Sequence, residues 1–105
     1  MSISDYLIKQ LTQELTIPES GKQSVVLADN SKIKAILFSF AAGSGLAEHV
    51  APLDATIQII SGEAAITVGA ESVDGMAGTW IHMTAKTPHS IAARTPVVML
   101  LTLLK

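Results

Sequence analysis

Three histidines carry most of the chemical scope of this 105-residue chain: His49, His82 and His89. The chain has no cysteine. Disulfide frameworks, thiolate zinc sites and cysteine nucleophiles are therefore excluded together. Neutral imidazole is the commonest protein metal ligand, and it suits nickel, zinc and copper. His49 follows the glycine-rich segment 41–45 and comes just before Pro52, and His89 comes directly after Pro88. In an antiparallel barrel, two histidines this far apart in sequence can point into one cavity, so the pair suggests a divalent metal.

Other catalytic patterns are missing. The sequence holds no Gly-x-Ser-x-Gly elbow, no phosphate-binding Gly-x-x-x-x-Gly-Lys loop and no His-Glu-x-x-His pair. Gly43-Ser44-Gly45 is too short for a dinucleotide fingerprint, and no helical pattern follows it. Glu48, Asp54 and Glu63 show no spacing that suggests a glycosidase pair, and aromatic residues for sugar stacking are scarce.

The elements that must position the histidines are mostly strands. Ser4 reads as an N-cap, and Leu7, Leu11 and Leu15 recur every fourth residue, which predicts one amphipathic helix over 5–15. Pro18 prevents its continuation. Beyond Gly21 about eight short strands are expected at roughly ten-residue spacing, each bounded by Gly, Pro, Asn or Asp. The segment 97–104 is apolar enough to be buried on both faces. Ala41 to Gly45 is read as a small, glycine-rich loop. The domain division expected is a lead-in over 1–20 and a single β-barrel over 21–105.

Composition narrows the class further. Hydrophobic residues make up 49% of the chain and charged residues 15%, so there is ample material for a core and none of the signature of a disordered chain. Seven basic residues against nine acidic ones give a formal charge of −2, where a nucleic-acid binder would show a basic excess. No apolar run approaches the roughly 18 residues of a membrane span. A soluble cytoplasmic protein with no nucleic-acid or membrane partner is expected.

Two spaced motifs give the chain a resemblance to the cupins. The first cupin motif runs Gly, five residues, His, one residue, His, three or four residues, Glu, six residues, Gly. Gly43, His49 and Gly62 fit it in register, with Ala51 at the second histidine position and Ala55 at the glutamate position. The second motif runs Gly, five residues, Pro, one residue, Gly, two residues, His, three residues, Asn. Gly78 and His89 fit it, while Thr84, Lys86 and Ala93 replace the Pro, Gly and Asn. The resemblance covers about residues 33–104. It implies an all-β, double-stranded β-helix (jelly-roll) barrel, a homodimer, and a barrel pocket formed here by His49, His89, Ala51, Ala55 and Ile57.

The family's metal site uses three histidines and a glutamate, and this chain keeps two of the four. A zinc site normally takes at least three protein ligands, so any ion here, nickel, zinc or copper, is expected to be weakly bound. A third ligand would have to come from Glu48, Asp54, Gln58 or His82. Glu48 adjoins His49 and on a strand points the opposite way. Gln58 lies three residues beyond Ala55 and needs a bulge to share its face. The spacing of His82 from His89 leaves its face open. Three functions follow: a cupin that binds a small molecule in its pocket, a metal-dependent oxygenase or isomerase using His49 and His89, or a structural dimer module. Trp80 is read as core or subunit interface. Lys86 and Arg94 are read as solvated residues, close enough to His89 in sequence to receive an anionic ligand.

Overall fold

A computed structural model describes residues 6–105 of the chain. Nine strands form two antiparallel sheets. In chain order they are β1 (Lys22–Asp29), β2 (Ile33–Phe40), β3 (Gly45–His49), β4 (Asp54–Ser61), β5 (Ala64–Val68), β6 (Glu71–Gly75), β7 (Trp80–Met83), β8 (His89–Ala93) and β9 (Val97–Leu104). One sheet has the order β1-β2-β9-β4-β7 and the other β3-β8-β5-β6. The expected two-sheet barrel is therefore present. It contains one strand more than the eight expected, because the stretch that follows the glycine-rich loop, Gly45–His49, is itself a strand, β3.

Period-two alternation builds the interior. Phe40 on β2, Ala55, Ile57 and Ile59 on β4, Ile66 on β5, Ile91 on β8 and Met99 on β9 are all 2% exposed or less and pack in one cluster. Strand β9 is central in its sheet, paired with β2 from Ile33↔Leu104 to Phe40↔Val97 and with β4 on its other edge. Val97, Val98 and Met99 are consecutive and all buried, so this strand is covered on both faces as its composition implies.

The helix expected over 5–15 is not formed. Among the described residues it is replaced by irregular chain and one 3-10 turn, Leu11–Gln13, preceded by Gln10 in an extended conformation. Ser4, the expected N-cap, lies outside the described residues. The physical reason is that the apolar stripe finds too little to pack on: Leu7 is 58% exposed and Ile8 77%, and Leu11 and Leu15 are only half-buried. An isolated helix shorter than about 12–15 residues is marginal in water without tertiary packing. The lead-in instead reaches the outer face of the five-stranded sheet, where Ser39 Oγ donates to the Thr16 carbonyl at 3.2 Å. Leu37, Ser39 and Val98 alternate with core residues and so face outward, yet all three are buried.

The turn between β4 and β5 leaves little freedom. Gly62 has φ +87°, and a Cβ there would lie 2.0 Å from the Pro96 carbonyl oxygen. Gly78, the motif glycine in the connection from β6 to β7, has φ +94° but open space around it. Gly62→Ala is therefore expected to cost more than Gly78→Ala, which meets only the left-handed penalty of about 1–2 kcal/mol. Denaturant unfolding of both variants checks this; equal losses would contradict the close approach.

Candidate functional site

His49 and His89 are direct cross-strand partners on β3 and β8, with ring centres 4.1 Å apart and ring planes tilted by 59°. The register explains how they meet. Leu46 pairs with Ile91, but His49 pairs with His89, so three steps along β3 match two along β8. That is a β-bulge. Leu46 packs against the core, and three residues further on an unbroken strand would point outward. The surplus residue turns His49 back to the inner face, which His89 shares with Ile91 and Ala93 by simple alternation.

The two rings are held in the same way. His89 Nδ1 lies 2.9 Å from the Thr87 carbonyl oxygen, and His49 Nδ1 lies 2.9 Å from the Ala47 carbonyl oxygen. A carbonyl only accepts, so each ring donates from Nδ1, which leaves the Nε2 lone pair of a neutral ring for something else. Neither Nε2 has a partner among the described residues. His89 is only 4% exposed, while His49 is exposed at the strand end. No fully buried side-chain nitrogen or oxygen lacks a partner among the described residues, so His89 Nε2 still reaches solvent-accessible space. The pair forms a mouth, with one imidazole recessed and one at the rim.

The other expected pocket residues divide. Ala55 lies on the inner face of β4, opposite Met83, and Ile57 is one inward position further along; both are 1% exposed. Ala51 is half-buried in the β3–β4 connection, where its carbonyl accepts the Lys86 N–H at 2.8 Å. This bond ties that connection to the β7–β8 loop. Three hollows stand out among the described residues, the largest about 460 Å³ between β6 and β7, and neither histidine lines any of them.

Gln58 and His82 do not join the pair, which corrects their reading as further ligands. Gln58 is exposed opposite Trp80, and His82 pairs with Thr56. The only irregularity of β4 against β9 comes later, between Ile59 and Ser61, so no bulge turns Gln58 inward. Both side chains stand on the outer face, where His82 Nε2 is 3.8 Å from Asp54 Oδ2. Asp54 also accepts the Ala85 N–H through Oδ1 at 2.9 Å, an anchor for the loop before His89 that the sequence reading missed. Trp80 is 62% exposed and so is not core.

No family model matches the chain, and no curated protein does. Solved structures do match it. A conserved protein of unknown function from Streptococcus pyogenes is 32% identical over 98% of this chain and 90% of its own, with a TM-score of 0.85. A cupin superfamily protein from Desulfitobacterium hafniense is 25% identical over 97% of this chain and 93% of its own, with a TM-score of 0.84. The chain belongs to the cupin superfamily. A protein with a double-stranded β-helix domain from Klebsiella pneumoniae, 17% identical over 95% of this chain and 90% of its own at a TM-score of 0.82, shares the fold.

As a cupin the chain departs from the family's metal set at its centre. Among the described residues no three His, Cys, Asp or Glu side chains come together as a metal site would require. Ala55 offers no carboxylate to offset the charge of a divalent ion, and Ala51 offers no third imidazole. The residues present therefore do not fit the family's complete site. Nickel, zinc or copper titrated by calorimetry is expected to bind far short of the roughly 10–16 kcal/mol of full structural zinc sites. His49→Ala or His89→Ala is expected to remove that weak binding. An ion surviving dialysis against a mild chelator would contradict this donor count.

Proposed function

We propose that this cupin binds a small molecule at the barrel mouth, with the ligand bridging His49 and His89. One observation carries the reading: a nearly buried imidazole is pinned through Nδ1 while its Nε2 has no partner, beside a second ring held in the same way. The His89 Nε2 opens onto solvent-accessible space from an otherwise buried ring, so a ligand can reach it and take up a hydrogen bond that no group among the described residues competes for. Pinning also fixes both rings before binding, which lowers the ordering cost. A neutral Nε2 accepts, so the ligand presents an O–H or N–H to the ring pair.

Ring-selective NMR of the histidines against a panel of small polar compounds tests the reading. At least one compound is expected to shift both the His49 and His89 ring signals and leave His82 unmoved. His89→Ala is expected to abolish the response at His49. A panel of hydroxy acids, sugars, amides and amines that moves neither ring would contradict the proposal.

A further inference from the structure

The mouth carries one strained residue, and it is a lysine. Lys86 has φ +68° and is the one non-glycine residue with positive φ among the described residues. It stands where the second cupin motif has glycine, the residue that adopts this conformation without cost. The conformation is fixed from outside: the Lys86 N–H is bonded to the Ala51 carbonyl at 2.8 Å, and the neighbouring Ala85 N–H to Asp54. These bonds use only backbone atoms of Lys86, so glycine would make them equally well. The side chain contributes nothing to them, and Lys86 forms no ion pair among the described residues. It is exposed, three residues before the recessed His89, on the loop bonded to the β3–β4 connection.

Strain kept at a position where glycine would relieve it calls for a use of the side chain. Of the carboxylates near the mouth, Asp54 is engaged by Ala85 and His82, and Glu48 is exposed in the bulged stretch beside His49 and forms no ion pair with Lys86. We infer that Lys86 is a specificity-determining residue that selects an oxyanion still carrying a hydroxyl, in the class of a small hydroxy acid or a hydrogen phosphate. The hydroxyl donates to an imidazole Nε2, and the anionic oxygens accept from the ammonium. The two interactions are of opposite sense, so neither a plain carboxylate nor an uncharged diol satisfies both. This inference rests on the mouth being the ligand site and adds the class of ligand to it.

The test uses the full chain with four probes: glycolate, inorganic phosphate near neutral pH, acetate and ethylene glycol, each titrated by NMR at the His49 and His89 rings. Glycolate or phosphate is expected to bind more tightly than acetate and ethylene glycol, and their relative strengths distinguish the hydroxy-acid source from the phosphate source. In Lys86→Gly the preferred probe is expected to weaken roughly 3- to 10-fold, the loss of one charge-assisted contact. Lys86→Arg is expected to keep the affinity. The melting temperature of Lys86→Gly is expected to rise, since the left-handed strain is relieved. A merely structural lysine would move stability and leave binding unchanged, and that result overturns the inference. So does equal binding of all four probes. If other compounds move both rings while these anions do not, the mouth remains the ligand site and the assignment to Lys86 falls alone.

Discussion

Period-two alternation against a dry interior is the constraint under which every strand of this barrel works, and His49 meets His89 only because β3 breaks it once. A single register slip in a half-buried strand moves each side chain to the other face. With Leu46 already committed to the core, an unbroken β3 would place His49 in solvent and leave His89 recessed and alone. The bulge spends one residue to bring two imidazoles to ring centres 4.1 Å apart. Bulges gather at barrel rims and near functional sites for this reason: they re-aim a side chain without unfolding its strand.

The fixed elements around that bulge divide the work. Strand β9 joins the early strand β2 to the middle strand β4 and closes the core beneath the mouth. The C-terminal edge is held to the first hairpin, where Lys105 Nζ lies 2.6 Å from Asp29 Oδ1 and its N–H bonds the Lys32 carbonyl. That ammonium holds the Asp29 carboxyl below its ordinary range. At the mouth itself three contacts join a backbone group to a side chain, Thr87 to His89, Ala47 to His49 and Ala85 to Asp54, and one joins two backbones, Lys86 to Ala51. No helix among the described residues is long and apolar enough to cross a membrane.

Most of the barrel was legible because its signals are local. Glycine at the β4–β5 turn, alternation along β2 and the apolar run of β9 each report on their own neighbourhood. Two features were not legible. The stripe of Leu7, Leu11 and Leu15 satisfies helical periodicity, but periodicity does not say whether a packing surface exists, and here Leu7 remains exposed. The strand from Gly45 to His49 leaves no strand signal in the sequence because glycine and a bulge interrupt its alternation, and the pairing that makes it a strand comes from β8, some 40 residues later in the chain. The register of His49 was reached through the motif spacing, and simple alternation would have failed at the bulge. The same alternation correctly left Gln58 without an inward path. The positive φ of Lys86 had a signal in the sequence, a lysine at a motif glycine, whose meaning depends on the backbone being preserved.

The central claim is that the bulge puts His49 directly across from His89 on the inner face. The chain has no cysteine of its own, so the double variant His49→Cys/His89→Cys reports on that geometry without background. Directly opposed residues of an antiparallel pair have Cα atoms about 4.5–5.5 Å apart, inside the range a disulfide spans. Oxidation under mild conditions, followed by thiol counting and mass spectrometry, should show an intrachain disulfide in the folded double variant and none in the control Glu48→Cys/His89→Cys. Two free thiols at positions 49 and 89, or closure of the control instead, would contradict the account.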